Sequence, residues 1–243
     1  MKNNYLSPRA GCKDIFNAHM VKNAIFDIYD IPFCPSSNII PTSLISYSEA
    51  KRIHKYYLKQ NLPDYHINAF IHTYIDDQYF DSKNNSIWLN PYDALKIICH
   101  YDGIITPDFS TYLDFPLPLK LLNTYKMRSF GLFCFENNIK VINNVRWGYK
   151  DSYDYSFSGL PSNSILSIGT VASGLNHNEN KKIFNDGFNE LIKRKRPHTI
   201  IIFGSDNCGA IRNARNNGIK IIQFDSNKAA YFKRKKALHE QTE

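Results

Sequence analysis

No apolar stretch of this 243-residue chain approaches the roughly eighteen residues of a membrane-spanning helix, so no span is expected. The amino terminus lacks a secretory-type apolar segment, and a cytoplasmic location is the expectation. Paired cysteines are missing too. Cys12, Cys34, Cys99, Cys134 and Cys208 are odd in number and scattered, and no C-x-x-C occurs. That excludes a disulfide framework or a cysteine-built zinc site and fits a reducing compartment. Cys99 and Cys134 fall in apolar, helix-like stretches and are expected to be buried thiols. The common mechanistic signatures are absent as well. There is no G-x-G-x-x-G, no Walker loop, no G-x-S-x-G elbow and no H-E-x-x-H, and the histidines are dispersed.

Aromatic residues and positive charge are plentiful. Sixteen Tyr and sixteen Phe supply core bulk, and Tyr also suits wet clefts and interfaces. The formal charge is +8, much of it in Lys193-Arg194-Lys195-Arg196 and Lys233-Arg234-Lys235-Lys236. Such runs hold phosphate backbones or form solvated helix faces. The first closes a helical segment, where cations complement the helix dipole. The second has no such structural reason.

Short apolar runs recur with polar residues at their ends: 66–77, 103–110, 140–147, 164–170, 199–206 and 219–225. Helix-like segments separate most of them. The pattern predicts an α/β fold with a mostly parallel sheet. Without an early Gly-rich loop, closure into a small or incomplete β/α barrel is favoured over an open sheet. Residues 1–65 read as an irregular segment plus one helix, capped by Ser46 with Glu49 completing a capping box. Residues 66–226 read as a single β/α domain, and 227–243 as a basic tail. Asn90 and Pro91 predict a helix start, with that helix running to about Tyr101 before Asp102 and Gly103 turn the chain. The next helical segment, 116–137, carries possible breaks at Pro118 and Gly131. Pro197 stops a helix over 178–196, and Gly218 follows a shorter one.

In such folds the site lies at the carboxyl ends of the strands. Asp76 and Asp77 follow the first strong strand, with Asp81 nearby. Asp108 ends the next, held by Pro107. These three strand-end carboxylates, Asp76, Asp77 and Asp108, are candidate catalytic groups and candidate ligands for a metal such as magnesium, or else turn formers. Asn143, Asn144, Arg146 and Trp147 offer amides, a guanidinium fork and a flat ring for phosphate, carboxylate or a stacked base; a buried network is the other reading. Alternation from Ile142 puts Asn144 and Arg146 on one face and Asn143, Val145 and Trp147 on the other. Arg146 is expected at the rim beside Asp108. Thr170, Ser173 and Ser205 sit in small-residue loops able to receive an anion.

The stretches Tyr29-Asp-Ile-Pro, Gly103-Ile-Ile-Thr-Pro-Asp-Phe-Ser, Val141-Ile-Asn-Asn-Val-Arg-Trp-Gly and Ser167-Ile-Gly-Thr-Val-Ala-Ser-Gly resemble the DUF4417 family of uncharacterised proteins. The likeness spans roughly residues 10–235. It implies a setting in low-GC bacteria, their phages and plasmids, and it carries no catalytic residues. Three functions stay open. One is a nucleic-acid-associated protein of a mobile element, connected with replication, in which Lys233, Arg234, Lys235 and Lys236 join Arg146 and Trp147 in contacting the polymer. Another is an enzyme at the strand-end rim, such as a metal-dependent phosphoesterase. The third is a non-catalytic scaffold. Oligomeric state is undetermined.

Overall fold

The computed structural model describes residue 14 and residues 16–83, 85–171 and 173–226. Cys12 and the basic run 233–236 lie outside them. Seven strands form one parallel sheet in simple chain order. They are β1 (Leu44–Ser46), β2 (Ile67–His72), β3 (Tyr101–Ile105), β4 (Val141–Asn144), β5 (Ile165–Gly169), β6 (Thr199–Phe203) and β7 (Lys220–Phe224). A helix lies in each connection: α1 (Tyr47–Lys59), α2 (Pro91–Ile98), α3 (Leu117–Glu136), α4 (Tyr153–Ser156), α5 (Asn178–Lys195) and α6 (Gly209–Asn216). The sheet curls into a half-barrel with the helices around it, and the described residues before β1 are irregular apart from one 3-10 turn, Ala18–Val21.

Alternation along the strands produces two apolar layers. Phe70, Ile105, Ile142, Ile165 and Ile201 share the concave face with Tyr74 and Phe203. Ile71, Ile104 and Val141 pack outward with Met127, Phe130 and Ile98 of the helices. Val145, Leu166, Ile168, Ile200 and Ile202 do the same against Phe184, Phe188 and Leu191 of α5 and Ile211 of α6. At roughly 1.5–3 kcal/mol for each large side chain taken from water, these layers drive the fold.

The sheet loosens at β4. Val141 and Ile142 pair with β3, whereas Asn143 and Asn144 pair with β5. The N-terminal segment fills the gap at the amino ends. The Ser37 amide donates to the Val141 carbonyl at 2.6 Å, and the Ser36 hydroxyl to the Ile165 carbonyl at 2.9 Å. Carbonyls that a regular ladder would leave to the next strand are thereby satisfied.

Several local expectations change. The sheet begins at β1, whose three residues are too few for a legible alternation. Ser46 caps α1 by accepting the Glu49 amide at 3.3 Å, but the Glu49 carboxylate binds Arg52, so the box is half made. Asp102 and Gly103 lie inside β3 rather than in a turn before it. Gly103 is needed there because a Cβ would strike the Phe70 ring and the Lys140 carbonyl. α3 is unbroken. Pro118 sits in its first turn, where a missing N–H costs nothing, and Gly131 lets Cys34 and Thr106 approach. Cys134 is buried as expected, but Cys99 is exposed, because α2 ends one residue earlier and turns it outward.

Candidate active site

Three successive strand ends build the site. Beyond β2 the chain runs through Thr73, Tyr74, Asp76 and Asp77. Beyond β3 come Thr106, Asp108 and Ser110. β4 ends at Asn144, with Arg146 two residues on. Threonine hydroxyls pin these ends together. Thr73 Oγ1 accepts the Asp108 amide at 2.6 Å, and Thr106 Oγ1 accepts the Asn144 amide at 2.8 Å.

Asp108, 7% exposed, is the hub. Its Oδ1 accepts Arg146 Nε at 2.5 Å and Asn144 Nδ2 at 2.7 Å, while Oδ2 accepts Arg146 Nη2. This is the bidentate fork that a planar guanidinium makes with a carboxylate. Arg146 Nη1 donates to the Gly169 carbonyl at 3.2 Å. Beneath the pair, the Tyr74 hydroxyl donates to Asn144 Oδ1 at 3.1 Å and lies 2.7 Å from Ser167 Oγ. Gly169 makes room for Tyr74, since a Cβ there would lie 2.6 Å from its ring. Burial works against the Arg146 charge, and the Asp108 carboxylate more than offsets it, holding the guanidinium protonated.

A cleft of about 440 Å³ opens above this network. Asp76, Asp77, Asp108 and Asp114 line it with Arg146, and Tyr112, Leu113, Val171 and Phe184 are among its apolar walls. Asp77 accepts the Ser110 amide at 3.1 Å and the Ser110 hydroxyl at 2.9 Å. Burial nevertheless raises its pKa, and the charges of Asp108 and Asp81 add to the rise against the pull of Ser110.

The expected face and neighbourhood of Arg146 are what the structure shows. Asn144 and Arg146 reach Asp108 together. Asn143 turns away, donating from Nδ2 to the Cys34 carbonyl at 3.0 Å and tying β4 to the N-terminal segment. Trp147 lines the cleft by its edge but packs on Phe184, Phe157 and Phe188, in a seam that opens only because position 187 is glycine. Thr170 Oγ1 donates to the Ser205 carbonyl at 2.9 Å, so the two small-residue loops are stitched to each other. Ser205 Oγ accepts the Asn207 amide at 3.2 Å, and Ser173 alone of the three loop hydroxyl residues lines the cleft. Asp81 pairs with Lys126 and Ser86, outside the lining.

Asp76, Asp77 and Asp108, the carboxylates expected to share a magnesium ion, all line the cleft. Among the described residues no three His, Cys, Asp or Glu side chains are grouped as metal donors. The Asp108 oxygens are spent on Arg146 and Asn144, and those of Asp77 on Ser110. The Lys193–Arg196 run also differs from a free basic patch. Arg194 pairs with Asp154 and Glu190, and Lys195 donates to the Leu160 carbonyl at 3.0 Å. It ends α5, at the amino end of the sheet, opposite the cleft.

His72, Tyr74 and Ser167 belong to the network and were missed. Alternation carried the signal: Phe70, His72 and Tyr74 share one face, as do Ser167 and Gly169. His72, 1% exposed, accepts the Tyr74 amide on Nδ1 at 3.1 Å and lies against Phe203. The neutral tautomer with its proton on Nε2 fits that bond. Burial pushes the His72 pKa down to about 4, with Asp108 pulling weakly the other way. The unfolded chain therefore binds a proton near pH 6.5 that the folded chain refuses until about pH 4. His72 stability is complete above 6.5 and falls as pH drops through that window, by roughly 3 kcal/mol in total. Asp77, with its raised pKa, acts in the opposite sense. Urea unfolding at pH 7 and pH 4 should show His72→Gln losing about 3 kcal/mol less than wild type. Parallel losses in the two proteins would refute this role.

The family model described as "Domain of unknown function (DUF4417)" matches residues 24–225. The chain belongs to the DUF4417 family. The match spans the half-barrel, including every strand end that builds the cleft. Among curated proteins, this DUF4417 member is 26% identical over 199 residues to "Gene 1 protein" of Mycobacterium phage L5, covering 82% of this chain and 80% of that one. It is 24% identical over 201 residues to "Gene 1 protein" of Mycobacterium phage D29, covering 82% and 69%. The chain is thus similar to phage proteins. No solved structure matches it. Among the described residues no helix is long and apolar enough to cross a membrane.

Proposed function

We propose that the protein acts on a small molecule bound in the rim cleft, in a mobile-element setting, and that Asp77 exchanges a proton with that ligand beside the Asp108–Arg146 pair. The observation that carries this reading is the arrival of Asp77, Asp108 and Arg146 from three successive strand ends in one open cleft of about 440 Å³. That size suits a small ligand. The fixed pair at its floor provides preorganised charge, and burial raises the Asp77 pKa above the ordinary carboxylate value, which favours its holding and returning a proton. A metal-dependent phosphoesterase is less favoured, because Asp108 already shares its oxygens with Arg146 and Asn144.

The test is a thermal-shift screen of amines, amino acids, nucleosides and sugars. At least one class should raise the melting temperature of wild type and fail to do so for Asp77→Asn. A hit that stabilises Asp77→Asn and Arg146→Ala as strongly as wild type would place the ligand elsewhere and overturn the reading.

A second reading, association with nucleic acid in replication, is favoured by the +8 charge and the similarity to phage proteins. Its contacts would include Lys233, Arg234, Lys235 and Lys236. Binding to single- or double-stranded DNA should then be strong at about 50 mM salt, fall steeply as salt rises and weaken when those four are alanine. Absence of retention at low salt would end this reading.

A further inference from the structure

We infer that the cleft selects an organic cation, an ammonium group carried on an aromatic or aliphatic body; the inference rests on the small-molecule reading of the same cleft. The charge of its walls points there. Four aspartates line the cleft, at positions 76, 77, 108 and 114, and among the described residues Arg146 is the one cationic side chain beside them. Arg146 is already matched by Asp108, which occupies its bidentate edge. Its third bond goes to the Gly169 carbonyl. The guanidinium therefore adds no net attraction for an anion, and a ligand carboxylate or phosphate would have to compete with Asp108.

The remaining carboxylates face the cleft without cations. Among the described residues, Asp76 and Asp114 make no side-chain hydrogen bond or ion pair, and Asp77 accepts hydrogen bonds only from Ser110. No lysine or histidine lines the walls among the described residues. The start of α5 borders the cleft, and Glu179 in its first turn meets the positive end of the helix. A bound anion would thus meet several like charges in a recess that water only partly screens, where such juxtaposition is costly. A bound ammonium would meet complementary ones.

The other half of the lining favours a ligand with an apolar body. Ile75, Leu113, Val171, Ile183 and Phe184 contribute the apolar part of its wall, and Tyr112, 61% exposed, adds an aromatic ring of the kind that attracts cations. Sugars and other neutral polyols would leave this wall uncovered. A nucleic-acid backbone would bring phosphates against the aspartates.

Calorimetric titration with two probes of one body and opposite charge separates the cases: tyramine, and 3-(4-hydroxyphenyl)propionate. Tyramine should bind at least about tenfold more tightly. The double variant Asp76→Asn/Asp114→Asn should erase that preference while its melting temperature stays that of wild type, since both side chains are exposed. Equal or tighter binding of the propionate would overturn the cation inference and leave the small-molecule cleft standing. A preference that survives in the double variant would also overturn it, by placing the charge recognition elsewhere. If neither probe saturates at millimolar concentration the cation inference fails, and the broader ligand screen decides separately whether the cleft binds anything.

Discussion

Replacing Arg128 with alanine should cost about 3–5 kcal/mol of unfolding free energy. Arg128 lies on α3 with no exposed surface. Its partners are main-chain carbonyls: Nε donates to Ser158 at 3.1 Å, Nη1 to Asn144 at 2.9 Å and Nη2 to Ser156 at 3.2 Å. One guanidinium therefore ties α3 to the end of β4, to the last residue of α4 and to the connection that follows it. Burial lowers its pKa to about 10, which leaves it charged at neutral pH. Truncation would strand three buried acceptors, each at about 1–3 kcal/mol before water refills part of the space. Arg128→Lys should recover part of the loss, because an ammonium keeps the charge but cannot address three fixed carbonyl directions from a plane. Urea unfolding checks both. A loss below about 1 kcal/mol for Arg128→Ala would mean that solvent replaces the guanidinium without cost.

That residue also marks the limit of what the sequence makes legible. The parallel sheet follows from repeated apolar runs separated by helical ones, because strand and helix periods differ and short loops force the order. The Asp108–Arg146 meeting was accessible from alternation within 142–147 and from the cost of burying an unpaired guanidinium. Arg128 carries no such signal. It sits in a helix whose apolar residues extend all round, so its burial depends on which helix face meets β4, a tertiary fact. The same holds for Asn143 and Trp147. Strand parity put them on the face opposite Arg146, but whether that face meets a ligand or another part of the chain was decided by the N-terminal segment and by Gly187. The metal reading turns on a related fact. Proximity of Asp76, Asp77 and Asp108 in a cleft was foreseeable, but Ser110, Asn144 and Arg146 had already taken the oxygens of Asp77 and Asp108.

Asp108→Ala should cost about 2–4 kcal/mol, somewhat below a fully buried pair, because Arg146 keeps 27% of its side-chain surface exposed and can draw some water. Most of that cost is the guanidinium left without a counter-charge, together with the loss of the acceptor for Asn144 Nδ2. Asp108→Asn should cost less, about 1–3 kcal/mol, since an amide oxygen still accepts a hydrogen bond although the charge is gone. The double variant Asp108→Ala/Arg146→Met removes both members and should be more stable than Asp108→Ala alone, recovering about 1–2 kcal/mol. Stability and function then separate. If the pair forms the floor of a working site, the double variant should fold well yet no longer bind the ligand that stabilises wild type. A scaffold role requires only that the network be satisfied, and predicts that the repaired double variant binds as wild type does. Denaturant unfolding of the four proteins, followed by calorimetry with the hit from the ligand screen, gives both answers. Retained affinity in the double variant would remove Asp108 and Arg146 from the site and leave them as part of the internal frame of the half-barrel.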